Sequence, residues 1–399
     1  MPDKRIAQSF LLPELKLIKE SYIKDKRLFH CEKTSKCEVC PKCATLCHTI
    51  YDRVSVSIKD APIRNKDVYL VIRKRRFLCK KCKKPFREPV PGIFKKYRTT
   101  QRLRAHIRWA ASNFQDLKRV SKSIGCSSWL VYKAYYEQIE IELRELKYEW
   151  PKTIGIDEHS FLRNARKGKT DFVTVFIDYN NKRMREVVLG KGLSDLYNSH
   201  IRDINGRDRV KNVITDLFPT FRSFAKDYFP NAKLIADKFH VIKLIHPLLH
   251  QYRKELIDKM DFNRGRRNPI GRLLVCYRKR LQYQTKLAVD RFIEYSPELK
   301  EIYWFKERIY RFYRIKGYTK ARKKLIEILD AMALSKIPEI KTLRSTLLLW
   351  AEEILNYFST GLTNGRTEGF NRKAKLIQRC AYGFRSFKNY RLKLLYACR

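Results

Sequence analysis

The stretch Thr153-Ile154-Gly155-Ile156-Asp157 is a short apolar run that ends in an aspartate, and the chain repeats this pattern twice. The second copy is Asn212-Val213-Ile214-Thr215-Asp216, and the third is Lys233-Leu234-Ile235-Ala236-Asp237. Such runs predict buried strands, and carboxylates at strand ends converge on one edge of a sheet. A cluster of carboxylates is costly unless it holds a cation or a proton. The repeated pattern therefore predicts an acidic site at a sheet edge.

The segments around these runs predict a mixed sheet with crossover helices, because their order is β-β-β-α-β-α-β and Asn180-Asn181 supplies a hairpin turn. Residues 241–358 carry apolar positions at helical spacing, which indicates an inserted helical domain. The expected strands are Lys152–Phe161, Asp171–Tyr179, Arg183–Leu189, Val210–Thr215 and Lys233–Ala236. The expected helices cover 194–206, 219–229, Leu273–Ile293, Lys300–Ile315 and Thr319–Leu334.

The charge of the chain indicates a nucleic-acid partner. Its 399 residues include 88 Lys and Arg against 41 Asp and Glu, a net charge of +47. A charge of that size favours contact with a polyanion, and its spread along the chain predicts that several domains touch the same one. A hydrophobic content of 44% excludes a disordered basic protein. A structural RNA binder would also be basic, but the strand-end carboxylates favour a Mg²⁺-dependent enzyme.

Two Cys-x-x-Cys pairs predict a structural Zn²⁺ site. The pairs flank two expected strands, Arg53–Ile58 and Val68–Ile72, which is the arrangement of a zinc ribbon. The local clustering of cysteines is typical of metal binding in a reducing compartment, and no secretory signal or membrane span of about 20 apolar residues is visible. The expected ligands are Cys40, Cys43, Cys79 and Cys82, with Cys37, Cys47 and His48 as open alternatives.

A helix-turn-helix is predicted between residues 95 and 150. One periodic segment covers Asp116–Ile124, Gly125-Cys126-Ser127 interrupts it, and Ser128–Ile139 forms the next. Ser127 or Ser128 can cap the second helix. The expected DNA contacts on this pair are Lys118, Arg119, Lys122, Trp129, Tyr132 and Lys133.

Three carboxylates from separate segments can hold two divalent metals about 3.5–4 Å apart. Asp157 is preferred over Glu158 because neighbouring strand residues point to opposite faces. Asp216 supplies the second carboxylate, although Asp237 also ends a strand and competes for that role. His240, three residues after Asp237, can orient a phosphate, hold a carboxylate or assist proton transfer.

The third carboxylate is expected from a late, polar helix. Glu368 lies at its start, and the helical repeat puts polar and charged side chains on one face, suited to a metal–phosphate site. The expected DNA contacts on this helix are Asn364, Arg366, Asn371, Lys375 and Arg379, whereas Phe370, Ala374, Ile377 and Ala381 can face the core.

Several of these motifs together resemble the ISL3 family of bacterial insertion-sequence transposases over nearly the whole chain. They are the two cysteine pairs, Ile156-Asp157-Glu158, Asp237-Lys238-Phe239-His240-Val241 and Asn364-Gly365-Arg366-Thr367-Glu368-Gly369-Phe370-Asn371, followed by Arg379 and Gly383-Phe384. The resemblance implies an RNase H-like domain with a DDE triad on Asp157, Asp216 and Glu368. Asp237 and His240 are similar to an Asp-x-x-His element of related DDE families.

The resemblance also implies cutting of double-stranded DNA at terminal inverted repeats and joining of 3′ ends to target DNA. Two Mg²⁺ (or Mn²⁺) per site, a homodimer on DNA and a bacterial cytoplasmic, nucleoid-associated location are the matching expectations. A DNA-binding regulator with an inert catalytic domain, or a nuclease without strand transfer, are the alternatives. The predicted fold is multidomain α+β: an N-terminal arm (1–30), zinc ribbon (31–92), helix-turn-helix (93–150), catalytic parts (151–245 and 359–399) and a helical insertion (246–358).

Overall fold

The architecture is mixed α/β. The computed structural model describes residues 11–94, 98–113, 116–145, 148–164, 169–260 and 270–399. The chain divides into two compact units, Met1–Glu145 with Ile377–Gly383, and Leu146–Leu376 with Phe384–Arg399. Within the described ranges, no helix combines the length and the apolar character that crossing a membrane requires.

The first unit contains a seven-stranded sheet of order β1-β2-β6-β5-β9-β8, with β7 paired to β6, and a separate β3-β4 ladder. The strands expected at Arg53–Ile58 and Val68–Ile72 are confirmed inside the long hairpin β5-β6. Residues 15–30, expected within an N-terminal arm, form strands of this sheet. The strands are β1 (Leu15–Ile23), β2 (Lys26–Lys33), β3 (Glu38–Val39), β4 (Leu46–Cys47), β5 (Ile50–Ile63), β6 (Lys66–Cys79), β7 (Lys84–Arg87), β8 (Ile93–Phe94) and β9 (Thr99–Thr100).

Three helices follow this sheet: α1 (Gln101–Asn113), α2 (Leu117–Ile124) and α3 (Ser128–Glu145). The Asp116 side chain caps α2 by accepting from the backbone amides of its first turn, and Gly125 ends it at φ 64°. The Ser127 hydroxyl accepts from Leu130 N at 3.3 Å. Two helices with a glycine turn therefore occur where the sequence predicts them, and the second ends at Glu145 rather than Ile139.

The second unit contains the predicted mixed sheet, of order β12-β11-β10-β13-β14. The first three strands are antiparallel, while β13 and β14 run parallel to β10. Alternate apolar side chains such as Ile154, Ile156 and Phe176 are fully buried in the core of this unit. The strands are β10 (Thr153–Asn164), β11 (Lys169–Asp178), β12 (Arg183–Leu189), β13 (Asn212–Thr215) and β14 (Lys233–Ala236).

The parallel register places the three strand-end aspartates side by side at the same edge of the sheet. Gly155 pairs with Ile214 on β13, and Thr215 pairs with Ala236 on β14. The same register continued past the strand ends places Asp157 beside Asp216 and Asp216 beside Asp237. The convergence predicted from the three repeated runs is therefore a direct result of how these strands pair.

The remaining structure is mainly helical. Two expected helices are wrong. The segment 194–206 holds only the short helix α4 (Leu193–Tyr197) and a separate 3₁₀ turn at His200–Asp203, and Leu273–Ile293 is broken into α8, a 3₁₀ turn at Arg278–Arg280, and α9. The buried Lys306 ammonium donates to Leu274 O at 2.9 Å and Cys276 O at 2.6 Å, so a tertiary partner takes the carbonyls that end α8. The helices are α4 (Leu193–Tyr197), α5 (Pro219–Tyr228), α6 (Lys238–Lys243), α7 (His246–Lys259), α8 (Ile270–Val275), α9 (Tyr283–Ile293), α10 (Pro297–Phe312), α11 (Tyr318–Ala333), α12 (Pro338–Leu349), α13 (Ala351–Thr360), α14 (Gly365–Cys380) and α15 (Phe387–Ala397).

Helix α14 lies directly against β10 because residue 155 is a glycine. A Cβ at Gly155 would fall 2.3 Å from Thr367 Oγ1 and 2.5 Å from Tyr179 Cε2. The side chains of Thr367 and Tyr179 cannot easily move away, because the Tyr179 hydroxyl lies 3.1 Å from Thr367 Oγ1 and donates to Thr363 O at 2.9 Å. This close approach carries the start of α14 to the sheet edge where the aspartates meet.

Candidate metal centres

Three carboxylates form a compact group at the sheet edge. Asp157, Glu158 and Asp216 each offer one oxygen, and these oxygens lie within 4.8 Å of one another. Burial raises the pKa of Asp157 to about 6, and the charges of Asp216 and Glu158 add to the rise. Burial, then the charge of Glu158, raises the pKa of Asp216 to about 6. We name these three residues the acidic set; crowding of this kind is relieved by a bound cation.

The position of Glu158 corrects the sequence analysis, which expected its side chain to face away from Asp157. Strand β13 ends at Thr215, so β10 is open on that side beyond Gly155. The extra methylene of a glutamate lets the Glu158 carboxylate reach around this open edge. A second acid directly after a strand-end aspartate, where the neighbouring strand stops, was the available signal.

Glu158 also shows that the acidic set fits a cation. Its Oε2 is buried and has no hydrogen-bond partner in the part of the chain that the structure describes. An unpartnered buried carboxylate oxygen is costly, and an oxygen-preferring divalent metal satisfies it. Its Oε1 lies 3.4 Å from the ammonium of Lys191.

Asp237 takes a different role from Asp157 and Asp216. It is buried, and its Oδ1 accepts a 2.9 Å hydrogen bond from the backbone amide of Asn364, just before α14. Its Oδ2 lies 3.1 Å from Nδ1 of His240. The hydrogen bond to Asp237 raises the pKa of His240, with further contributions from the charges of Asp237, Asp216 and Asp157. Asp237 thus anchors the helix start and an imidazole and lies outside the acidic set.

Glu368 lies in the first turn of α14, one helical turn before Asn371, but its carboxylate points to Arg372. The two side chains form an ion pair of 2.9 Å and are 57% and 77% exposed. Among the described residues Glu368 does not join the acidic set. Exposed pairs of this kind contribute at most about 1 kcal/mol, so turning Glu368 to another partner costs little.

A buried chain of hydrogen bonds supports Asp157. Asn371 Nδ2 donates to Asp157 Oδ2 at 3.0 Å, and Asn371 Oδ1 lies 3.0 Å from His159 Nδ1. His159 Nε2 lies 2.7 Å from the Tyr390 hydroxyl. Burial lowers the pKa of His159 to about 4, so its ring is neutral near pH 7.

Two members of this chain of hydrogen bonds, His159 and Tyr390, were not predicted from the sequence, and the third had another expected role. Asn371 was expected to contact DNA, but it is buried. His159 shares a strand face with Asp157, two residues away, and that spacing was the signal for it. Tyr390 lies too far along the chain for any local pattern to connect it.

The other residues expected to contact DNA divide into exposed and buried groups. Asn364 is buried beside Asp237, whereas Arg366 is exposed, lies 5.4 Å from the centre of the Tyr179 ring and donates to the Tyr179 carbonyl. In the helix pair, Trp129 is exposed and Lys133 lies over its ring at 5.1 Å. The remaining residues are all exposed, namely Lys118, Arg119, Lys122, Tyr132, Lys375 and Arg379.

The four cysteines that the sequence predicts as zinc ligands form the second metal centre. Cys40, Cys43, Cys79 and Cys82 each offer a sulfur within 4.8 Å of the others, and the sulfurs of Cys43 and Cys79 are 3.6 Å apart. Four thiols at this spacing suit tetrahedral Zn²⁺. The alternatives Cys37, Cys47 and His48 lie outside this group among the described residues, although burial next to the group raises the pKa of Cys47 to about 11.

Comparison with known proteins gives matches over the regions that contain both centres. A family model described as transposase, of the ISL3 DDE type, matches residues 154–394, more than half of the chain. A model for the zinc finger of the transposases IS204/IS1001/IS1096/IS1165 matches residues 37–82. The chain is 22% identical over 378 residues to the transposase for insertion sequence element IS1001 of Bordetella parapertussis, covering 90% of this chain and 89% of that protein. The first match contains the acidic set and Glu368, and the second contains the four cysteines.

Proposed function

The chain belongs to the ISL3 family of transposases, and from that premise we propose that it cuts DNA at the terminal inverted repeats of an insertion sequence and joins the 3′ ends to target DNA. The observation that carries this proposal is the acidic set, with its buried and unpartnered Glu158 oxygen. We assign the second unit to the RNase H-like class, which the sheet order β12-β11-β10-β13-β14 supports.

Asp157 and Asp216 are the first two metal ligands in this proposal, because they lie side by side at the ends of adjacent parallel strands. Asp237 is excluded because its carboxylate oxygens are already paired with the Asn364 amide and the His240 ring. Glu368 completes the triad by leaving Arg372 when metal and DNA bind. The freed Arg372 guanidinium then faces the DNA backbone, where a planar cation suits a phosphate.

Mg²⁺ held by these carboxylates would supply an activated nucleophile and a stabilised leaving oxygen for an in-line displacement at phosphorus. The protein holds the reacting groups in position and stabilises the charge that develops during the reaction. Asn371 keeps the Asp157 carboxylate oriented through its 3.0 Å hydrogen bond. His240, held by Asp237, adds positive charge beside the carboxylates whenever its ring is protonated.

The proposal keeps the expected domain limits, except that residues 15–30 belong to the sheet of the first unit rather than to a separate arm. The zinc ribbon (31–92) and the helix pair (93–150) bind the terminal repeats. The parts 151–245 and 359–399 form the catalytic domain, and the helical insertion (246–358) lies along the duplex with its basic faces. Two ends must be cut together, so we propose a homodimer on DNA, at the bacterial nucleoid.

The test is Mn²⁺- or Mg²⁺-dependent cleavage and joining of a labelled duplex that carries the terminal repeat, with Glu368→Gln as the matched variant. Joined product from the wild type and none from the variant would support the proposal. Cleavage without joining would point to a nuclease. Specific binding without cleavage by either protein would favour a regulator, the alternative that the outward-turned Glu368 carboxylate supports.

A further inference from the structure

We infer that Lys191 is a resident cation of the acidic set, which pairs with Glu158 while no divalent metal is bound and moves to a DNA phosphate when metal binds. The inference rests on the proposed function and adds to it a residue that the sequence analysis did not select. It is carried by the placement of Lys191, which several independent contacts fix.

The backbone before Lys191 is held in a tight turn. Gly190 has φ 92°, which L side chains rarely adopt, and a Cβ there would fall 2.1 Å from Asp195 Oδ2 and displace that side chain. Its amide donates to Phe172 O at 2.8 Å, and its carbonyl accepts from Thr174 Oγ1 at 2.8 Å. These hydrogen bonds fix the backbone just after β12, from which the Lys191 side chain extends.

Two aromatic rings hold the Lys191 ammonium. The nitrogen lies 4.2 Å from the centre of the Phe172 ring and 5.0 Å from that of Phe218, which comes two residues after Asp216. The faces of the two rings attract the ammonium and favour this position beside the acidic set. The Lys191 side chain is 36% exposed and that of Glu158 is 19% exposed, so the pair is partly desolvated.

This position sets up a competition between two cations. A metal that binds the acidic set would bring two positive charges close to Lys191, and the same Glu158 carboxylate cannot serve both fully. Lys191 therefore lowers the affinity of the set for metal. Its ammonium, displaced from Glu158, is then available to a phosphate of the bound DNA.

The experiment compares wild type with Lys191→Met, which keeps the length and the apolar packing but removes the charge. Mn²⁺ is titrated calorimetrically into the full, zinc-loaded chain without DNA, and cleavage of the terminal-repeat duplex is measured at saturating Mn²⁺. The variant is expected to bind Mn²⁺ about threefold to tenfold more tightly, since a partly exposed ion pair contributes about 1 kcal/mol. Its cleavage rate is expected to fall at least about tenfold, because a charge-assisted phosphate contact is lost.

Lys211→Met is the matched control. Lys211 is exposed and precedes β13, whereas Asp216 follows it, so the two residues are about 16 Å apart at the rise of a strand. This variant should match wild type in Mn²⁺ affinity. Lys191→Arg, which keeps the charge, should stay close to wild type in both measurements.

The outcomes separate the inference from the proposed function. Unchanged or weaker Mn²⁺ binding by Lys191→Met, or unchanged cleavage, overturns the inference while wild-type binding and cleavage stand. Wild-type chain that takes up no Mn²⁺ beyond Asp157→Asn, or that never cleaves the duplex, overturns the proposed function and the inference with it.

Discussion

The side-chain amide of Asn371 donates a 3.0 Å hydrogen bond to Asp157, a residue 214 positions away in the sequence. The bond joins the late helix α14 to strand β10 at the acidic set. Because Asn371 is itself held by His159, its amide nitrogen faces the carboxylate in a fixed direction. An aspartate that must bind a metal in one orientation gains from such a neighbour.

Replacing Asn371 should impair catalysis more than DNA binding. We expect Asn371→Ala to lower the cleavage rate about tenfold to a hundredfold, the range typical of residues that orient metal ligands, and to raise the Mn²⁺ concentration needed for half-maximal rate. Tyr390→Phe, one step further along the chain of hydrogen bonds, should have a smaller effect of the same kind. The exposed Asn231→Ala is the control, and equal rates for it and Asn371→Ala would refute the role of Asn371.

The raised pKa of Asp157 and Asp216 predicts a pH-dependent stability of the protein without added divalent metal. Each folded-state pKa is about 6, above the ordinary 3.8, so protonation favours the folded state. Ionisation of these two carboxyl groups destabilises the folded state, and this effect is absent below about pH 4 and grows as the pH rises through 6. We therefore expect Asp216→Asn to have a free energy of unfolding about 1–2 kcal/mol above wild type at pH 8 and equal to it near pH 4.

This pH prediction is checked by urea unfolding across the pH range, with the exposed Asp203→Asn as control. The opposite pH dependence that neutral His159 contributes is common to wild type and variant and cancels in the difference. Added Mg²⁺ should stabilise wild type and leave the variant nearly unchanged. A variant less stable than wild type at pH 8 without Mg²⁺ would show that the ionised Asp216 carboxylate does not destabilise the folded state.

Gly155 should tolerate no side chain. Gly155→Ala places a Cβ 2.3 Å from Thr367 Oγ1, so we expect a loss of about 1–3 kcal/mol in the free energy of unfolding and a lower cleavage rate as α14 shifts. Gly369→Ala, in the same helix with nothing within 4 Å, should keep or slightly raise stability. Denaturant unfolding of both variants checks this, and similar losses in the two would exclude the close contact as the cause.

Loss of one zinc ligand should abolish the ribbon. Cys79 is buried within the four-thiol group, so Cys79→Ser should lower bound zinc well below about one equivalent per chain and weaken binding to the terminal repeat at least about tenfold. Zinc content and fluorescence anisotropy measure the two effects. The exposed Cys276→Ser should change neither, and full zinc content in Cys79→Ser would show that another thiol replaces it.

The sequence predicted those parts of the molecule that local patterns determine. Strand-end aspartates and Cys-x-x-Cys spacing are short-range signals, so the strands bearing Asp157 and Asp216 and the group around Cys79 lie where expected. The break after α8 could not be predicted, because Lys306 ends that helix from another part of the chain. The contact of Tyr390 with His159 could not be predicted either, since 231 positions separate the two residues.

The long reach of this hydrogen-bonded chain has a consequence for biosynthesis. Residues emerge from the ribosome in order, so the cysteine ribbon and strand β10 are complete long before Asn371 and Tyr390 exist. A nascent or prematurely terminated chain can therefore fold its early parts while the partners of Asp157 are still missing. The hydrogen bonds that orient Asp157 can therefore form only once translation has passed residue 390, and a chain that ends earlier lacks them.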